Sequence, residues 1–288
     1  SGDDRGRIYR VVPEKGGTTW PRSSAARLAT ADTTRLIAGL SDSSGWRRDT
    51  AQRLLVERQD LAAAPELEKL ALAGPEPLGR LHGLWTLEGL GKLEPAVVEA
   101  ALGDADPRVR RAALRGAEPM LAGNKALRAR ALELSGDPDR GVRFQLALST
   151  GVMDAAATLA PLARIVRQDD GDRWLRAAVL TSVGEKPVDL LVRLHGDGEA
   201  AGEGRIELAR DLARLAGSSG DVKDSEAVLL AAARVQGPHA ARWKRACAIG
   251  LLDGARGPWA ESREARREAA HGPMPQDSLR DGGEAAIA

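Results

Sequence analysis

Three Asp-x-Asp pairs, Asp104 with Asp106, Asp137 with Asp139 and Asp170 with Asp172, recur thirty-three residues apart, and Arg110, Arg143 and Arg176 recur in the same register. Clustered carboxylates suit a hard cation such as calcium, but the chain has no twelve-residue loop closed by a bidentate Glu. The run Gly89, Leu90, Gly91, Lys92 lacks the length and the final Ser or Thr of a phosphate loop and falls where a helix would end before Pro95, so it reads as a turn. His82, His195, His239 and His271 stand singly, and a shared metal site would require folding to gather them. None is followed by Glu, as in the di-iron hydroxylases built on helical solenoids. Cys247 lies in "WKRACAIGLL", an apolar setting that keeps a thiol protonated and inert. No Gly-x-Ser-x-Gly elbow supplies a serine nucleophile. No catalytic residue, cofactor site or metal ligand set emerges.

What remains is chemistry for binding. Trp46, Trp174 and Trp243 each precede an Arg by two residues, in "WRR", "WLR" and "WKR". Such rings fit two roles. They can be exposed anchors or stacking platforms for a partner, or they can fill the joint between successive helical pairs with the indole N–H on a loop carbonyl. Packing is the favoured reading. Forty-two basic residues against 41 acidic ones leave no overall field to draw nucleic acid or a membrane surface. A single cysteine excludes an internal disulfide and any cysteine-rich metal site.

The elements that position these residues are helices. Hydrophobic content of 43% with only 3% aromatics, rich in Ala and Leu, favours close helix packing and an all-α fold. The pattern divides into about seven pairs. Their first (A) helices fall near 32–40, 64–73, 94–102, 124–135, 155–167, 187–195 and 223–235, and their second (B) helices near 45–58, 77–91, 107–121, 140–152, 173–184, 203–216 and 239–252. Pairs repeating every 30 to 40 residues signal an α-solenoid, because one pair cannot cover its own apolar stripe. Asp106, Asp139 and Asp172 are expected to cap the B helices, with Pro107 at the first helical position. Arg110, Arg143 and Arg176, four residues on, are expected to pair with those caps. Ser44 with Arg48 and Glu76 with Arg80 are weaker versions. Stacking would line the Asp and Arg side chains into a polar ladder along one edge. Ala51, Gly83, Ala113, Leu146 and Val179 are the expected core positions three residues after each Arg.

Flanking this array, residues 1–31 contain a strand candidate, "RIYRVV" at 7–12, followed by a Pro-, Gly- and Ser-rich linker. The solenoid is expected over 32–256. Residues 257–288 are expected to form a helix, "ESREARREAA", and a poorly ordered tail. The beginning reads as an excised fragment with Ser1 and Gly2 as cloning remnants. It has no signal-peptide core, and no stretch is apolar enough to span a bilayer.

The stretches "GRIYRVVP" (6–13), "GWRRDTAQRLLVER" (45–58), "GRLHGLWTLEGLG" (79–91), "VRFQLALSTG" (142–151) and "RWLRAAVLTS" (173–182) resemble the HEAT-repeat region of the large membrane-bound dehydrogenase and haem-binding multidomain proteins of planctomycetes and related bacteria. In that family a β-propeller precedes the HEAT array and a c-type cytochrome domain with Cys-x-x-Cys-His follows it. The resemblance implies the middle of a longer protein exported to the periplasm or cell surface. This chain has no Cys-x-x-Cys-His, so neither haem attachment nor a dehydrogenase site is carried over. The expectation is a non-enzymatic, monomeric scaffold without cofactors that binds protein, either neighbouring domains or a separate partner. Its B-helix starts would present Trp46, Arg47, Arg80, Arg111, Arg140, Arg173, Trp174 and Trp243. The alternative is a solenoid that follows a nucleic-acid backbone with stacked arginines, and near-zero net charge weighs against it.

Overall fold

The computed structural model of the chain describes residues 28–195 and 202–256. The expected N-terminal strand, the linker through residue 27 and the C-terminal tail lie outside them. The described residues form fourteen α-helices: α1 (Thr33–Gly39), α2 (Gly45–Glu57), α3 (Ala64–Ala73), α4 (Pro77–Gly89), α5 (Pro95–Ala101), α6 (Pro107–Leu121), α7 (Lys125–Glu133), α8 (Arg140–Ser149), α9 (Ala155–Asp169), α10 (Arg173–Ser182), α11 (Pro187–His195), α12 (Glu203–Ser219), α13 (Val222–Arg234) and α14 (Ala240–Ala255). Odd helices pack against the even helix after them, except that α7 packs on α6 and reaches α8 through the short turn Leu134–Gly136. The chain is an all-α solenoid.

Local chemistry sets the helix starts and stops. Pro77, Pro95 and Pro107 open α4, α5 and α6 at positions whose N–H would have no intrahelical partner. Asp32, Asn124 and Asp154 cap α1, α7 and α9 with side-chain oxygens on first-turn amides. After α4 the chain turns through Gly91 at φ +64°, with the Lys92 amide on the Leu87 carbonyl at 2.8 Å. A left-handed residue there closes the helix end, which is why "GLGK" carries a turn and not a phosphate.

Packing runs in two layers. The A helices from α3 to α13 each touch the next A helix along the chain, and the B helices from α2 to α14 do the same. From α2 to α10 the B helices pack against one another more extensively than the A helices do. The core is continuous between the layers and almost wholly aliphatic. Leu36, Leu55, Leu67, Leu87, Leu114, Leu146 and Leu162 are completely buried, each contributing about 1.5–3 kcal/mol by leaving water. Ala51, Gly83, Ala113, Leu146 and Val179 are all buried, as their register requires. Gly83 shows why some must be small, since a Cβ there would stand 3.1 Å from the Ala71 backbone nitrogen.

At the C-terminal end the spacing tightens further. α12 and α14 run side by side through Gly217, Gly250 and Gly254, and added Cβ atoms at the last two would strike the Arg210 and Arg214 carbonyls. Small residues allow two backbones to meet directly, which the fading sequence pattern of the last pairs concealed.

Candidate interaction surface

The two acids of the repeated turn do different work. Asp106 and Asp172 each accept from the amide two residues on, and Asp139 from that of Val142, at 2.8–3.0 Å, so the expected caps form. Ser44 and Glu76 make no side-chain cap. The first acid closes the turn: Asp104 and Asp137 accept from the amides of Asp106 and Asp139 at 2.8 Å.

The arginines do not pair with the caps four residues back. Each reaches across to the next unit. Arg80 grips Asp104 through Nε and Nη2 at 2.7 and 2.8 Å, Arg110 grips Asp137 at 2.7 Å through both nitrogens, and Arg143 grips Asp169 at 2.6 and 2.7 Å. The Nη1 atoms of the same residues donate to the Gly74, Asp104 and Asp137 carbonyls of their own turns. Each guanidinium thus fastens its own turn to its neighbour's, with the fork geometry that suits carboxylates. These carboxylate bonds raise the pKa of Arg80, Arg110 and Arg143. Burial pushes the Asp104 carboxyl up, but bonds from Arg80 and the Asp106 amide outweigh it and hold it below its usual value. The Arg108 side chain holds Asp106 down to about 2.

The ladder changes register at its ends. The Asp169–Asp170 doublet serves both sides, Asp169 taking Arg143 and Asp170 taking Arg205 at 3.2 Å. Arg176 turns to Glu207 instead. In the register of the repeat Gly74 stands where the next unit has Asp104, so Arg48 has no such acid; its Nη1 bonds the Asp42 carbonyl at 2.7 Å, and its buried Nε has no partner among the described residues.

The candidate binding residues therefore separate. Arg80 is committed to the ladder with 13% of its side chain exposed, and Trp243 is buried at 2%. The expectation that these two meet a ligand does not fit their burial. Arg47 is held by Asp42 at 2.9 Å and Arg140 by Asp172 at 2.5 Å. Arg111 is exposed, and Arg173 lies over the Trp174 ring at 4.9 Å. Trp46 and Trp174 stand 64% and 63% exposed at the starts of α2 and α10. Of the three tryptophans only Trp243 is buried, as packing requires.

The repeat register adds residues that sequence reasoning passed over. Positions thirty-three apart bring Arg108, Gly141 and Trp174 into one row across α6, α8 and α10, then Arg111, Phe144 and Ala177, then Arg115, Leu148 and Thr181. Phe144 is half-buried against the core and Leu148 is exposed. The spacing that revealed the repeat could have found them.

Elsewhere on the B face, His82 is buried, its Nδ1 2.7 Å from Gln52 Oε1 and its ring edge-on to Trp85. Burial lowers its pKa, so it is a neutral core histidine. Beside it α2 and α4 border a groove of about 420 Å³ lined by Asp49, Gln52, Arg53, Val56, Glu57 and Trp85. Burial pushes the Cys247 thiol up to about 12. Among the described residues no three His, Cys, Asp or Glu side chains gather to hold a metal ion, and no helix is long and apolar enough to cross a membrane.

Residues 94–184, the stretch from α5 through α10 that holds the central rungs of the ladder, match the family model of HEAT repeats. The chain contains a HEAT-repeat region. No protein of curated function matches the chain. HEAT repeats commonly mediate protein interactions, and HEAT solenoids are typically non-enzymatic.

Proposed function

We propose that this HEAT solenoid is a non-catalytic protein-interaction scaffold whose docking surface is the B-helix face around α6, α8 and α10. One observation carries the reading. Most arginines at the turns are locked to carboxylates, yet on this face Arg111 and Arg115 meet no carboxylate among the described residues, and the next two B helices add the exposed Leu148 and Trp174. Aromatic and Arg side chains are the types that anchor protein interfaces. A photo-crosslinking residue at Trp174 should form protein adducts in cells, whereas one at Leu72, exposed on the A helix α3, should not. Adducts from Leu72 with none from Trp174 would place docking on the other layer.

We place the scaffold between redox modules of a larger exported protein, a setting supported by the likeness of "GRIYRVVP" and the four helical stretches to the planctomycete family. The gene tests this directly: propeller-coding sequence upstream and a Cys-x-x-Cys-His codon run downstream are expected, and stop codons bounding the chain on both sides refute it.

A further inference from the structure

We infer that the α6–α8–α10 face receives an extended acidic segment of a partner protein, with an apolar side chain seated between its carboxylates. This rests on the docking surface proposed above and assigns its ligand chemistry.

The three rows lie side by side on consecutive B helices, and we take them as the walls and floor of a shallow trough. Arg111 and Arg115 form its α6 wall, Phe144 and Leu148 its α8 floor, and Trp174 with Arg173 stacked on it the α10 wall. Gly141 keeps the trough open at its upper end, because a Cβ there would come 3.2 Å from Arg111 Nη1. Asp139 Oδ1 lies 3.0 Å from that same point but bonds the Val142 amide and forms no ion pair with Arg111. At the lower end Glu118 accepts from Ser149 Oγ at 2.7 Å and Gln145 Nε2 at 3.2 Å. Three guanidiniums that meet no carboxylate among the described residues therefore flank an apolar floor. Carboxylates of an incoming chain complete them as bidentate pairs, while Phe144 and Leu148 bury one apolar residue.

The same charges select peptide over nucleic acid. A phosphate backbone needs cations along the whole track. Here Arg108 and Arg140, at the rim, already hold Asp106 and Asp172. Beyond the trough the B face turns acidic or self-paired, with Asp49 and Glu88 exposed on one side and Glu203 and Glu207 engaged by Arg242 and Arg176 on the other.

The test is fluorescence anisotropy with the whole chain and a labelled peptide of Asp and Glu around one Leu. Its comparators are the all-acidic peptide, the Lys analogue and a single-stranded RNA. Binding of the Leu-containing acidic peptide is expected to exceed all three. It should weaken about tenfold or more in Arg111→Glu with Arg115→Glu and in Trp174→Ala. All three sites are exposed, so melting should not change; if the charge reversal lowers it, the neutral pair Arg111→Gln with Arg115→Gln repeats the comparison. Binding that survives these substitutions, or RNA bound more tightly and lost with them, overturns the inference. A benzophenone placed on the peptide separates the two levels. Adducts near Phe144 support both readings, adducts confined to α2 or α4 refute only the acidic trough, and adducts on A helices refute the B-face docking surface as well.

Discussion

Replacing Asp137 by Ala is the sharpest perturbation of the ladder. The Asp137 carboxylate is 3% exposed and accepts three hydrogen bonds, two from Arg110 and one from the Asp139 amide. Its loss leaves the Arg110 guanidinium, 11% exposed, with only the Asp104 and Ala105 carbonyls. Stripping one partner from a buried ion pair costs about 3–5 kcal/mol, chiefly because the other charge stays buried and uncompensated. The lower end, about 3 kcal/mol, applies at the edge of a solenoid, where water can reach the exposed remnant. Asp137→Asn, which keeps acceptors for part of this set, should cost roughly half as much. Arg110→Met with Asp137→Leu should fall within about 1 kcal/mol of the parent, since an apolar pair of similar volume removes both charges together. Urea unfolding at constant slope reads all three, and a double-mutant cycle isolates the coupling. The control is Asp253→Ala, whose partner Arg210 lies in solvent; its midpoint should not move measurably. If Asp137→Ala were as mild as that control, or if the Arg110 and Asp137 substitutions simply added, the ladder would not be what couples the units.

Three further outcomes follow from particular groups. Asp42, Asp104 and Asp106 are held below their ordinary carboxylate values in the folded chain, Asp106 at about 2. The stability they add is present above their unfolded value of about 3.9 and is lost as pH falls through the folded values, so melting temperature should drop between about pH 5 and pH 2; a flat profile over that window would contradict the pairing. Cys247, buried and titrating near 12, should resist a thiol reagent in the native chain and react only after denaturation, and prompt native labelling would contradict its burial. Gly204→Ala would drive a Cβ into the Asp170 carbonyl, whereas at Gly123 an added Cβ meets nothing within 4 Å. The first should cost about 1–3 kcal/mol or more by overpacking and the second little, and equal melting temperatures would refute the close approach of α12 to the α9–α10 turn.

The helical pairs were legible because a period of thirty-three residues imposes one local solution repeatedly. Asp106, Asp139 and Asp172 precede helices and cap them, as short acidic side chains at such positions do. The destination of Arg110 was not legible in the same way. Along the chain, Asp106 lies four residues away and Asp137 twenty-seven, and only the stacked turns bring the distant carboxylate into the plane of the guanidinium. The surface was legible in its residue types but not in their exposure. Trp174 and Trp243 sit in nearly identical strings, "WLR" and "WKR", yet one projects from α10 and the other is buried in α14, the helix that packs closely on α12 through glycines. Phe144 and Leu148 were hidden among core-like residues of α8 until the offset from Arg111 and Arg115 placed them in the trough.

Translational order is the claim on which the account stands, and distances between spin labels measure it. Cys247 is buried and inert, so labels attach to introduced cysteines alone. Neighbouring helices pack about 8–10 Å apart. Labels at Arg108→Cys and Trp174→Cys, two B helices apart, should therefore lie about 20 Å from each other, and labels at Trp46→Cys and Trp174→Cys, four apart, should lie nearly twice as far. A second distance no longer than the first would mean that the helices close into a bundle, and the solenoid would be wrong.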